Sequence, residues 1–244
     1  MSVYDELFDS KERNNMTREG TVDLLDDVEE CLIAMKKTEQ IKPVKIKSIL
    51  ENLRSALEYV ANDTYDKYIP SNSIPRPKIY FPYGEQKRID NFFIKKLQIR
   101  NPSSSPLYSV FNSIQEKFTG DNWLKMMCDL TNDAKHRNPI PLDENEEIKQ
   151  VTVSADKFGL IKTDGRGDIT FKNVSVYGKK LTDFTYKKGV LNVAGNGFPL
   201  NIEITKGKNI KFHGNEYEVI PFLELSLKRI RKFTEEAYGI LETL

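Results

Sequence analysis

The side-chain period changes twice along this chain, and that change constrains the fold more than any motif does. Up to about residue 147, apolar residues recur at three-and-four spacing. After Glu147 they alternate one-in-two with polar residues, and from Pro221 the helical spacing returns. A helix begins at Thr21, taken as its N-cap, with Val22, Leu25, Val28, Leu32 and Met35 as its stripe. The clearest helix follows a break at 40–43, carries Ile46, Ile49, Leu50, Leu53, Leu57, Val60 and Ala61, and stops before Pro70. The proline-rich segment 69–87, with the extended run Lys78-Ile-Tyr-Phe-Pro, reads as an ordered loop. A short helix over 89–98 buries Phe92, Phe93 and Leu97. Ser105-Pro106 opens another, with Leu107, Val110, Phe111, Ile114 and Phe118 on one face. A further helix runs from Trp123 to about Asn138.

The alternating pairs Val151/Val153, Ile169/Phe171, Val174/Val176, Leu191/Val193, Ile202/Ile204 and Ile210/Phe212 predict six to eight short strands. Asp164-Gly-Arg-Gly, Lys188-Gly, Gly195-Asn-Gly and Gly207 punctuate them as turns. Leu223, Leu227, Ile230, Phe233, Ala237 and Leu241 give the last helix one apolar face, which must cover another apolar surface. The fold class is therefore α+β: a helical bundle with an antiparallel β-meander inserted before the C-terminal helix. Its parts are a flexible N-terminus (1–20), the bundle (21–147), the β insertion (148–219) and a C-terminal helix packing on the bundle (220–244).

A formal net charge of +1 carries no global message, but its distribution is uneven. Residues 1–40 hold eleven acids and five bases, and 151–213 hold eleven bases and five acids. The basic part could meet a polyanion, or the acidic arm of a second copy; the plainer reading is a lysine-protected sheet surface. Lys179, Lys180, Lys187 and Lys188 are expected to cluster on one exposed surface as the binding residues of this region. Cys31 and Cys128 have no CxxC partner and read as reduced, buried small residues. With no apolar leader and no run of some 20 apolar residues, the reading is a soluble cytoplasmic protein with no membrane partner.

His136 is one of two histidines in 244 residues. On the helix of 122–137 it shares a face with Asp129, Asn132 and Asp133, and on the helix of 44–68 Arg54, Glu58 and Asn62 repeat every four residues. Side by side, the two stripes would join a cation, carboxylates and an imidazole. Such a group could bind phosphate and move a proton, as cleavage of RNA at a 2′-hydroxyl requires. His136, Arg54, Asn132 and Glu58 are the candidate catalytic residues, with Lys135 and Arg137 as binding residues beside them. In the competing reading His136 and Asn132 cap the helix end. No metal site and no cofactor is expected: two distant histidines and no cysteine pair do not make a zinc site.

Leu-Arg-Ser-Ala-Leu at 53–57, followed some 75 residues later by Asn-x-x-Lys-His-Arg at 132–137, resembles a pattern in prokaryotic HEPN-like helical proteins. The intervening Ile79-Tyr-Phe-Pro-Tyr is similar to the extended piece between their helices. The resemblance covers about 21–145 and the last helix. It implies a bundle that often dimerises, in a superfamily many of whose members are toxin or antiviral RNases. Those enzymes carry Arg-x(4–6)-His, and only the histidine carries over, to His136. The arginine's positions hold Asp129, Leu130 and Thr131. An aspartate there reverses the charge facing a phosphate. Two readings follow. The first is a degenerate, non-catalytic interaction or regulatory protein of prokaryotic stress or phage defence, binding RNA, another polyanion or a protein, and self-associating as a homodimer. The second is a divergent, metal-independent RNase with His136 as general acid and base.

Overall fold

The computed structural model describes residues 10–69, 76–136, 140–155, 158–164, 167–187, 190–195, 197 and 200–244, with side chains for all of these but 10–16, 136, 155 and 158–161. The chain is mixed α+β and divides into two compact units, Met1–Leu142 with Phe212–Leu244, and Asp143–Lys211.

The first unit is helical. It contains α1 (Ser10–Thr38), α2 (Pro43–Tyr68), α3 (Gln86–Asn91) running into a π-helical turn (Phe92–Lys96), α4 (Pro106–Ser113), α5 (Glu116–Thr119), α6 (Trp123–His136) and α7 (Val219–Leu241). Pro43 and Pro106 stand in the first turns of their helices, where the missing N–H costs nothing. Helix α2 lies at the centre, packed against α1, α6 and α7. Ile46, Ile49, Leu50, Leu53, Leu57 and Val60 are accordingly buried. The expected stripe of α7 is buried throughout, from Leu223 to Leu241. Phe111 joins Phe81, Phe92, Phe93 and Phe233 in an aromatic cluster with ring centroids 5.3–5.4 Å apart. Such pairs add to the burial of their area.

Several boundaries differ from the sequence reading. Helix α1 begins at Ser10, so 10–20 is helical; residues 1–9 lie outside the described residues. Thr21 is consequently inside a helix and caps nothing: its hydroxyl donates to the Thr17 carbonyl, 2.9 Å away. Val22 is 45% exposed, outside the buried stripe. The helix opened by Pro106 stops at Ser113, and Phe118 sits on the separate α5 at 58% exposure, so it joins no common face. Ser105 makes no side-chain cap; its hydroxyl lies 3.1 Å from the Tyr68 hydroxyl.

The second unit is β. Its strands are β1 (Leu142–Ala155), β2 (Phe158–Thr163), β3 (Ile169–Phe171), β4 (Ser175–Val176), β5 (Lys179–Lys180), β6 (Asp183–Lys187), β7 (Val190–Ala194) and β8 (Asn201–Phe212). The pairing is not one continuous meander but three small sheets, ordered β2-β1-β8, β3-β6-β7 and β4-β5. Strand β1 pairs antiparallel with β2, as β6 does with β3 and β7. Val151, Val153, Phe184 and Tyr186 form the core of this unit, with Ile169, Phe171, Leu191 and Ile202 packed on it.

Gly207 is not a turn. It lies within the continuous strand β8, and a Cβ there would sit 2.5 Å from the Lys149 side chain, so the glycine admits a crossing lysine stem. The outer ends of two expected pairs face water, with Val193 56% and Ile204 39% exposed. The turns at Asp164-Gly-Arg-Gly, Lys188-Gly and Gly195-Asn-Gly fall wholly or partly outside the described residues.

Candidate polar site on helices α2 and α6

The buried stripe of α2 continues through Leu53 and Leu57, which turns Arg54 and Glu58 toward α6 and the extended segment 76–83. Arg54 Nε and Nη2 lie 2.8 and 2.7 Å from Glu58 Oε1. Both side chains are mostly shielded, 12% and 21% exposed. Glu58 Oε2 accepts the Phe81 backbone N–H at 2.6 Å, which ties the extended segment to α2. Arg54 Nη1 faces Cys128 Sγ on α6, and the Tyr83 ring lies 4.7 Å from the guanidinium carbon, a cation–π contact.

Burial works against the Arg54 cation, but Cys128 and Glu58 outweigh it and hold its pKa above the ordinary value. Burial pushes the Cys128 thiol up to about 12 despite the neighbouring guanidinium, so the sulfur is a neutral thiol and no nucleophile. Asn62, one turn on, donates to the Glu58 carbonyl at 2.7 Å and accepts from Arg76 Nη2 at 3.1 Å.

Of the candidate residues, the structure thus brings Arg54 and Glu58 into direct contact. Asn132 meets them through Tyr83, whose hydroxyl lies 3.4 Å from its Nδ2. Asp129 pairs with Lys125 at 2.6 Å, while Asp133 and Lys135 are exposed. The backbone of His136 closes α6; its side chain, like Arg137, lies outside the described residues. Among the described residues no group of three or more His, Cys, Asp or Glu is placed to hold a metal ion. Cys31 and Cys128 are both free.

On the β unit, Lys179, Lys180 and Lys187 are exposed, and Lys188 is outside the described residues. Lys179 and Lys180 are neighbours on one strand, opposite Val176 and Ser175, so the pleat sends them to opposite sides. Lys206 and Lys208 are ion-paired with Glu146 and Glu144 at 3.2 and 2.7 Å.

Sequence reasoning missed Tyr83 and Cys128, the two groups that complete the Arg54 surroundings. It also missed a second polar cluster, where Asp63 Oδ2 lies 2.8 Å from the Tyr238 hydroxyl and Thr21 Oγ1 lies 3.0 Å from the same oxygen. Burial pushes the Asp63 carboxyl up to about 7 and raises the Tyr238 phenol as well. Among the described residues no helix is long and apolar enough to cross a membrane. No protein-family model, curated protein or solved structure matches the chain.

Proposed function

We propose that this chain is a degenerate, HEPN-like interaction or regulatory protein of prokaryotic stress or phage defence, cytoplasmic and non-catalytic, which holds a polyanion or a protein partner and self-associates as a homodimer. One observation carries the reading: the cation and the carboxylate that would act on a phosphodiester are already committed to each other and to the fold. Both carboxylate oxygens of Glu58 are engaged, one by Arg54 and one by the Phe81 N–H. Arg54 is covered by Tyr83 and Cys128 and has little surface left for a substrate. A general base must reach the proton it takes, and Glu58 is only 21% exposed with both oxygens already accepting hydrogen bonds. Asp129 stands where the RNase motif would put a cation, and it is paired with Lys125.

The test is RNA cleavage by the purified full chain, beside His136→Ala, with and without divalent metal. The expected result is intact RNA in every lane. Cleavage that His136→Ala abolishes would instead establish the divergent RNase, with its phosphate-binding cation supplied from elsewhere.

A further inference from the structure

We propose that residues 76–100 of the helical unit form a binding surface for single-stranded nucleic acid; this deepens the polyanion reading above and rests on it. The stretch holds seven basic residues and two acidic ones. All seven bases are exposed, and among the described residues only Arg76 is in an ion pair, with Asp66 at 2.8 Å. Among the described residues, no carboxylate pairs with Lys78, Lys87, Arg88, Lys95, Lys96 or Arg100. Elsewhere in this unit many cations are spoken for: Arg18 by Glu242, Lys36 by Glu224, Arg229 by Asp121, and Arg231 by Asp26 and Glu29. Of the two acids, Asp90 is bound by the Tyr108 hydroxyl at 2.6 Å and by Gln86 at 3.0 Å. A run of unpaired cations inside a unit that pairs many of its others is an electrostatic footprint for phosphate.

Aromatic rings are interleaved with these charges. The extended backbone at 78–81 alternates, so Ile79 and Phe81 are buried while Lys78 and Tyr80 face outward, Tyr80 at 63% exposure. Tyr80 and Lys78 line a shallow groove of about 280 Å³ together with Asn62 and Arg76. A few residues on, Arg88 lies 6.0 Å from the Tyr83 ring centroid. An exposed ring among cations suits unpaired bases, which can stack while the backbone is held by charge. A duplex keeps its bases stacked on each other, and an acidic peptide has no base to offer Tyr80, so the geometry points to a single strand.

The probe is a fluorescein-labelled single-stranded RNA of mixed sequence, titrated with the full chain and read by anisotropy. If about four phosphates are neutralised, raising salt from about 50 to about 200 mM should weaken binding roughly fifty-fold. The double variant Lys87→Glu/Arg88→Glu should bind at least about tenfold more weakly and lose part of the salt slope. Tyr80→Ala should lose about five- to tenfold with the salt slope unchanged, which separates stacking from charge. All three positions are exposed, and matching thermal melts verify that the variants are folded. Lys228→Glu, an exposed position on α7, should bind as the unaltered chain does.

No binding by the unaltered chain, or unchanged binding by Lys87→Glu/Arg88→Glu, overturns the proposal. Displacement of the RNA by polyglutamate at equal charge also overturns it, in favour of an acidic protein partner. Gel analysis of the same samples keeps the two readings apart. Cut RNA would sink the non-catalytic reading while leaving this surface standing, and uncut RNA that does not bind would sink the surface alone.

Discussion

Helix α2 carries two buried polar clusters a few turns apart, and they solve the same problem in opposite ways. Toward α6, Arg54 and Glu58 stay charged: each desolvated ion has an opposite partner, Glu58 also accepts from Phe81 N–H, and Arg54 also donates to the Cys128 sulfur. Toward α1 and α7, Asp63 has a tyrosine and threonines but, among the described residues, no cation in contact with it, and it stays protonated up to about pH 7. Arg76 and Arg18 act on this cluster only from a distance, against Asp66. Donor counting shows why the neutral form fits. A protonated Asp63 can donate to Tyr238, Tyr238 to Thr21, and Thr21 to the Thr17 carbonyl, giving each hydroxyl one proton to give and one to receive. Buried charge survives here only where its counter-charge is in contact; otherwise the group gives up its charge.

The sharpest way to break this comparison is Glu58→Ala. It leaves the Arg54 cation half-entombed without its partner and the Phe81 N–H unbonded, a loss of about 3 kcal/mol. Urea unfolding of the full chain measures it, and Glu58→Gln should fall between, because the amide oxygen can still accept one bond. A cost near zero would mean that water reaches Arg54 freely.

Asp63 should dominate the pH dependence of the helical unit. Its folded pKa is raised above the unfolded value near 3.8 to about 7, so the native state keeps its proton after the unfolded chain has lost it. The contribution is complete below about pH 4, is lost progressively as pH rises to about 7, and is flat above that. Asp63→Asn should remove this slope and be more stable than the unaltered chain at pH 8 by about 2 to 4 kcal/mol. Urea midpoints at pH 5 and pH 8 decide it; equal slopes in both proteins would mean that Asp63 is ionised throughout.

Tyr238→Phe is a smaller step on the same cluster. It keeps the ring volume and deletes the hydroxyl that links Asp63 to Thr21, for about 1 to 2 kcal/mol. The loss should be larger at pH 8, where Asp63 depends on the phenol as a donor. A pH-independent loss would count against the coupling of the two groups.

Much of the architecture was legible because burial on one side of an element leaves a period in its sequence. The α7 stripe and the Val151/Val153 pair are cases of it. Asp63 was not legible for the same reason inverted. Helix α2 is covered by α1, α6 and α7, so its buried surface is wider than one stripe and takes in a residue that one-face periodicity assigns to water. The Arg54–Glu58 contact follows from four-residue spacing; Tyr83 and Cys128 come from 29 and 74 residues away and leave no local trace. Charge counts misled wherever the boundary was drawn by composition. Cutting at 151 separated the lysines of β8 from Glu144 and Glu146 on β1, which pair with them in the folded sheet, and it passed over the excess of bases in 76–100.

The exposed pairs of that sheet supply the last and smallest test. Glu144 and Lys208 lie 2.7 Å apart, as close as Arg54 and Glu58, yet both are half exposed or more. In water each ion keeps its hydration, and holding two long side chains together costs rotamer freedom, so proximity alone stabilises little. A double-mutant cycle with Glu144→Ala and Lys208→Ala should give no coupling beyond experimental error. The same cycle at Arg54 and Glu58 should give a clear one. A strong coupling on the sheet would mean that distance rather than desolvation sets the worth of an ion pair in this protein, and the contrast between the two faces of α2 would lose its physical basis.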